Sequence, residues 1–461
     1  TNTGSVTSVA STTVQVSNSS GASASSASSG ADDDGIPDLL ERALGSSTAS
    51  GVTLPGEGLK LVASNQSGID ATLLRPAGQS GLTFALESTA DLVTWTPLLV
   101  SPAVVNQGNG WERVTWANLH TLTGQSIARG IIRLRVTQSG GETATGAPVG
   151  WQQSSLHAGT QSFGLNLVND AVFTGGVVSA STTEITLDEQ EELPAVIDSR
   201  LSYYLEVVSG PQAGHRLDLQ NISTAGCVID TDSSNNTLPA AAVADLTGVR
   251  VTLRPHRTLG EVFDPAGFHG ASIAVSADQV LFYAPTGYGT CWLYANGGER
   301  RWVLSGDATL ASMNDVLIPP GVGLILQLVS TSPAPFLTTG SVRTTPFACA
   351  LKTGYNLFAN PWPLDTTPAR TGMIPSAFVA TTAFASADQL QVWKGDANTT
   401  ATGYIGYWLF QMPGQPVPIW IPTGDASMLS QNNAALLKSG RATFIKAQPK
   451  TDRPVWIIPP P

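Results

Sequence analysis

The residues with the sharpest chemical signature lie in one acidic run, Asp32-Asp33-Asp34-Gly35-Ile36-Pro37-Asp38-Leu39-Leu40-Glu41. A loop that wraps calcium places oxygen donors at alternating positions, a glycine at the sharp turn and a closing carboxylate at the twelfth position. With Gly35 as the turn glycine, Asp32 and Asp34 take alternating positions, Ile36 supplies a main-chain carbonyl, Asp38 falls ninth and Glu41 twelfth. The first position then falls on Gly30, which has no side chain, so Asp33 or a carboxylate from elsewhere would have to complete the shell. Two readings stand: a Ca2+ loop, or an acidic loop that caps the helix behind it. That helix is signalled by Pro37 at its first position, an apolar stripe of Ile36, Leu39, Leu40, Ala43 and Leu44, and Gly45 as a stop.

The other reactive residue types are scattered. The histidines, His120, His157, His215, His256 and His269, show no HExxH or H-x-H spacing, so a metal-hydrolase site would have to be assembled wholly by folding. The chain has no GxSxG elbow, no phosphate loop and no dinucleotide fingerprint after a strand, and Asp188-Glu189-Gln190-Glu191-Glu192 reads as a solvated loop. Paired carboxylates of the glycosidase kind come together only in three dimensions and stay open. The expectation is that the chain is not an enzyme. Cys227, Cys291 and Cys349 lack CxxC spacing, and an odd number allows at most one internal pair. Trp362, Tyr404, Tyr407 and Trp420 form a candidate sugar-stacking platform, with core packing as the competing use.

Residues 1–30 are mostly Ser, Thr, Ala, Gly, Asn and Val, too poor in apolar surface to offset their own ordering entropy. Small or apolar residues nevertheless recur at even positions, with Val6, Ala10, Thr12, Val14 and Val16 on one face, as a strand laid along another sheet's edge requires. A flexible linker is the alternative.

Around these segments the chain is patterned for β-structure. From Gly58 onward apolar residues alternate with polar ones, as in Leu59, Leu61 and Ala63, and as in Ile132, Leu134 and Val136 against Arg133 and Arg135. The expected fold is all-β: tandem antiparallel β-sandwich and meander domains, with one short N-terminal helix and an extended N-terminal segment. Units are expected at 1–30 (the extended segment), 31–48 (acidic loop and helix), 49–150 (a β-sandwich), 151–345 (a β-domain) and 346–461 (a β-domain partly repeating its predecessor). The repetition is explicit: Ser276-Ala277-Asp278-Gln279-Val280 returns as Ser386-Ala387-Asp388-Gln389-Leu390, Trp292-Leu293-Tyr294 as Trp408-Leu409-Phe410, and Ser305-Gly306-Asp307-Ala308 as Thr423-Gly424-Asp425-Ala426. Three matches in one order predict a duplicated β-meander.

Composition narrows the partners. Charged residues make up only 12% of the 461, so the surface is wetted by hydroxyls and amides more than by ions. A net charge of −11 with scarce lysine argues against nucleic acid, which needs clustered cations. Arg250, Arg254, His256 and Arg257 come nearest to a basic patch, but they alternate with Val249, Val251 and Leu253 like the solvent face of a strand. No apolar stretch approaches the ~18 residues of a membrane helix. The first residue is Thr1 and not Met, as in a chain processed by removal of a leader, which permits export without showing it.

The segment Asp34-Gly35-Ile36-Pro37-Asp38 resembles the aspartate-rich calcium-binding linkers of large secreted bacterial proteins. Phe84-Ala85-Leu86-Glu87-Ser88-Thr89-Ala90-Asp91-Leu92-Val93-Thr94-Trp95, followed by Arg133-Leu134-Arg135-Val136, is similar to a β-domain common in exported proteins of Verrucomicrobia-like bacteria. From about residue 160 onward, Tyr203-Tyr204-Leu205-Glu206-Val207-Val208-Ser209-Gly210-Pro211, Thr258-Leu259-Gly260-Glu261-Val262-Phe263, Ala277-Asp278-Gln279-Val280 and Gly354-Tyr355-Asn356-Leu357 resemble a family of secreted β-rich paralogues from the same bacteria. The resemblance implies export and carries no catalytic residue. The expected function is a structural subunit of an extracellular filament or surface assembly, a homopolymer built by N-terminal strand addition. The alternative is a monomeric carbohydrate-binding or adhesive module with polysaccharide as partner.

Overall fold

A computed structural model of the chain describes residues 34–46, 58–63, 68–119, 129–284, 287–329, 336–373, 377–395 and 403–461. The architecture is all-β, with antiparallel pairing throughout the named sheets. Among the described residues no helix is long and apolar enough to cross a membrane.

The N-terminal helix, Asp38–Leu44, forms where the sequence places it, and Gly45 ends it in the left-handed conformation (φ 81°) with its N–H on the Glu41 carbonyl. Its stripe, Leu39, Leu40, Ala43 and Leu44, joins the core of a β-sandwich that contains Trp116 and Trp151. One sandwich sheet runs Lys60–Ala63, Ile69–Pro76, Trp111–Trp116, Ala103–Gly108; the other runs Phe336–Ser341, Val149–Ser154, Arg129–Gln138, Leu82–Thr89, Thr96–Leu98. The unit boundary expected at 150/151 therefore falls inside a strand. Val149–Ser154 pairs with Arg129–Gln138 on one side and with Phe336–Ser341, nearly 200 residues further on, on the other. Alternation of polar and apolar residues identifies strands one at a time; it does not say which distant strand completes a sheet.

Between those strands the chain makes a closed six-stranded barrel from Phe173–Ala180, Glu184–Leu187, Cys227–Ile229, Arg216–Ile222, Tyr203–Val207 and Arg250–Pro255. The alternation of Tyr203-Tyr204-Leu205-Glu206-Val207 sends Tyr203, Leu205 and Val207 into the barrel core with Leu217, Val251 and Leu253. Tyr204 and Glu206 point outward, yet both are buried, because other units cover that wall.

The two five-stranded sheets are the duplication. One is ordered Gly159–Gly164, Gly323–Leu328, Gln279–Ala284, Gly287–Asn296, Glu299–Leu304; the other Gly354–Ala359, Ala442–Ala447, Gln389–Trp393, Tyr404–Phe410, Ile419–Pro422. Strand for strand the connectivity is the same, and the barrel occupies the gap between the first and second strands of the earlier copy. The copies also meet reciprocally. Gly164 N–H donates to the Gly440 carbonyl (3.1 Å) and Ala359 N–H, at the equivalent place, donates to the Gly321 carbonyl (2.8 Å). Close approach explains the small residues here: a Cβ on Gly164 would lie 2.6 Å from the Arg441 carbonyl oxygen.

Candidate functional site

Of the calcium-loop residues, Asp32 lies outside the described residues. Asp34 is buried and accepts the Ile36 N–H on Oδ1 at 2.6 Å, a tight turn that leads the chain into the helix. Ile36 packs on the sandwich core, Asp38 opens the helix, and Glu41 is buried on its inner side. Asp34 and Glu41 both line a cavity of about 510 Å3 where helix, sandwich and barrel meet. The Arg250 guanidinium of the barrel packs directly on Gly35, with Nη1 2.4 Å from where a Cβ would stand. Among the described residues no group of three or more His, Cys, Asp or Glu is arranged to hold a metal ion.

The cavity wall is a set of ion pairs between units. Glu206 on the barrel is almost fully buried; it pairs with Arg343, accepts the Thr345 hydroxyl at 2.9 Å and lies 3.9 Å from Arg254 Nε. Lys60 of the sandwich pairs with Asp170, which also accepts the Ser341 hydroxyl at 2.6 Å. Burial works to raise the Asp170 carboxyl, but Lys60 and Ser341 outweigh it and hold it below its ordinary value. Arg216 lies 4.2 Å and Arg343 5.0 Å from the ring of Phe347, and Arg216 Nη1 also donates to the Ala348 carbonyl (3.1 Å), so the segment leading into the second meander is clamped to the barrel. The basic series expected on a solvent face thus splits: His256 is buried, and Arg254 and Arg257 donate to the carbonyls of Asn169 and Thr339. Its strand lies under other units, a fact that local alternation does not carry.

A Ser, an Asp and a His do converge beside this wall. His256 Nε2 is 3.0 Å from Asp218 Oδ1, and Ser233 Oγ is 2.6 Å from Asp218 Oδ2. The serine donates to the carboxylate and not to the imidazole, an order that braces a turn and does not activate an oxygen. The cysteines are three separate thiols, all raised by burial: Cys227 and Cys291 to about 11 and Cys349 to about 12.

The four-residue aromatic platform does not form. Trp362 and Trp420 are completely buried and donate Nε1–H to the carbonyls of Arg343 (3.1 Å) and Met373 (2.9 Å). Tyr407 sits in the same core, and Tyr404 points into a different cluster. Indole needs one hydrogen bond and a large apolar envelope; the core of the second meander supplies the envelope, and the carbonyls of Met373 and of Arg343 at the junction accept the bonds. The motif residues Glu87, Asp91 and Trp95 are likewise structural. Glu87 binds Arg133 (2.8 Å) and Arg135 (3.0 Å), and Arg133 covers the Trp95 ring at 4.1 Å. Asp91 accepts the N–H groups of Thr94 (2.7 Å) and Val93 (2.9 Å), which hold its carboxyl at about 2.

The sheet edges carry a feature that sequence reasoning missed. Three are blocked: Thr96–Leu98 is short and contains Pro97, Glu299–Leu304 carries Glu299, Arg300 and Arg301, and Trp420 in Ile419–Pro422 receives the Gln431 N–H on its carbonyl. Ala103–Gly108 differs. It pairs with Trp111–Trp116 on one side, no described strand lies on the other, and all six residues are exposed, with Val104 at 48% and Val105 at 56%. It holds no charged residue and no proline. The signal available in the sequence was that absence: Ala103-Val104-Val105-Asn106-Gln107-Gly108 has neither charge nor proline, and the one guard the structure adds is a bulge between Asn106 and Gly108 at the far end of the strand.

No protein-family model matches the chain, and no curated protein matches it.

Proposed function

We propose that the chain is a non-enzymatic structural subunit of an extracellular filament or surface assembly, in which residues 1–30 of one copy add as a strand to Ala103–Gly108 of the next. The exposed edge, free of charge and proline over Ala103–Asn106, is the observation that supports this reading. An exposed edge offers a row of main-chain donors and acceptors, and each hydrogen bond made there is worth about 1 kcal/mol net. The donor face of Val6, Ala10, Thr12, Val14 and Val16 is small enough to lie beside Val104 and Val105 without a deep pocket. Donor and acceptor are different surfaces, so the contact is head-to-tail and grows into a filament unless its rotation closes a ring. The ion-poor surface suits subunits that pack closely.

A direct test adds a synthetic peptide of residues 1–18 to a chain lacking residues 1–30 and follows amide hydrogen exchange. Strand addition slows exchange within 103–108. Unchanged exchange at saturating peptide contradicts the proposed acceptor.

A further inference from the structure

The seam between the two meanders ends in a cluster of aromatic rings that shares only Tyr404 with the platform expected in the sequence. At its centre is Phe444, buried beside Leu357 and Ala442. Tyr283 stands 5.5 Å from Phe444 and 5.3 Å from Tyr288; Tyr355 stands 6.0 Å from Phe444 on another side. Tyr404 is 5.5 Å from Phe444 and leads to Trp393 at 5.0 Å. All these pairs are edge-to-face, so each ring is fixed by its neighbours and by strands hydrogen-bonded within their sheets. The outer members reach solvent: Tyr288 is 48% exposed and Tyr355 38%.

The chemistry at this surface is aromatic with polar handles. Gln391 Nε2 lies 3.4 Å from the Tyr355 hydroxyl, and Lys446 stands 5.7 Å from the Tyr355 ring. Lys446 beside the Tyr355 ring, in a chain of net charge −11, gives a polyanion little to hold. Phenols, an amide and ring faces are complementary to a neutral sugar, whose C–H faces stack on rings while its hydroxyls exchange hydrogen bonds with phenol and amide. Rings already locked in place lose little freedom on binding, which favours affinity. We propose that this cluster is a binding site for a neutral polysaccharide, stacking pyranose rings on Tyr288 and Tyr355 with Gln391 as a hydrogen-bonding partner. The site lies on the meanders and is independent of the strand-addition edge on the sandwich, so an assembled subunit could carry it to a glycan surface.

The test is calorimetric titration of the full chain with cellohexaose and chitohexaose. The wild type should bind at least one of them, and Tyr288→Ala/Tyr355→Ala should weaken that binding by about tenfold or more, about 1.4 kcal/mol. Tyr288→Phe/Tyr355→Phe, which keeps the rings, should retain most of it. Thermal unfolding of each variant confirms that the exposed substitutions leave the fold intact. No binding of either hexasaccharide at millimolar concentration, or equal binding by a folded alanine variant, overturns the proposal. Self-association that is lost in the alanine variant while sugar binding is absent overturns it in favour of a protein contact.

Discussion

Trp302 and Trp420 occupy the same place in the two meanders. Trp302 donates Nε1–H to the Phe263 carbonyl at 2.7 Å, and Trp420 donates to the Met373 carbonyl at 2.9 Å. The main-chain N–H of each is taken by an asparagine 12 residues on, Asn314 at 3.0 Å and Asn432 at 2.8 Å. Asp278 and Asp388 are related in the same way: each accepts the N–H nine residues earlier, of His269 (2.7 Å) and Val379 (2.9 Å). Replacing Trp302 or Trp420 by Phe removes a buried hydrogen bond and leaves a carbonyl unpaired, and should cost about 1–3 kcal/mol at either site. Denaturant unfolding of both variants checks this; a loss confined to one of them contradicts the equivalence.

The pH dependence of stability follows from the junction. Asp170 and Asp218 are both held below the ordinary aspartate value: burial opposes ionisation, but Lys60 in one case and His256 in the other outweigh it. A carboxyl lowered in the folded state contributes stability that is present above its unfolded value, about 3.9, and is lost as pH falls through the folded value. Unfolding measured between pH 6 and pH 2 should show a loss beginning near pH 4, and Asp170→Asn should shrink it. A slope unchanged by that substitution removes Asp170 from the account.

The buried thiols should be inert. With all three raised by burial, a thiol reagent at pH 7.5 should label the folded chain slowly, reaching the half-buried Cys349 first and the buried Cys227 and Cys291 only in denaturant. Rapid stoichiometric labelling without denaturant contradicts the burial.

The acidic loop offers a choice between cations. With Arg250 packed on Gly35, we propose that the guanidinium, and not calcium, holds the loop against the barrel. Arg250→Met should lower the unfolding temperature, whereas adding Ca2+ or a chelator to the wild type should leave it unchanged. A rise with Ca2+ that is lost in Asp34→Asn and Glu41→Gln would restore the calcium loop.

Much of the fold was legible because its signals are local. The stripe and Gly45 stop of the helix, the period-two strands and the three repeated segments all rest on residues close in sequence. What the sequence hid depends on distant pairing. Phe336–Ser341 completes the sandwich from beyond the barrel, Glu206 is buried and Arg254 half-buried although they face away from the barrel core, and Trp362 and Trp420 turned inward. The aromatic cluster was hidden for the same reason, since Tyr283 and Phe444 come from different meanders and touch only across the seam.

The central claim, that copies join through the Ala103–Gly108 edge, is tested most directly by negative-stain electron microscopy of three samples: the wild type, the chain lacking residues 1–30, and Val105→Lys, which places a guarding charge on the edge. The account predicts filaments for the wild type alone. Single particles in all three, or filaments that persist without residues 1–30, would contradict it.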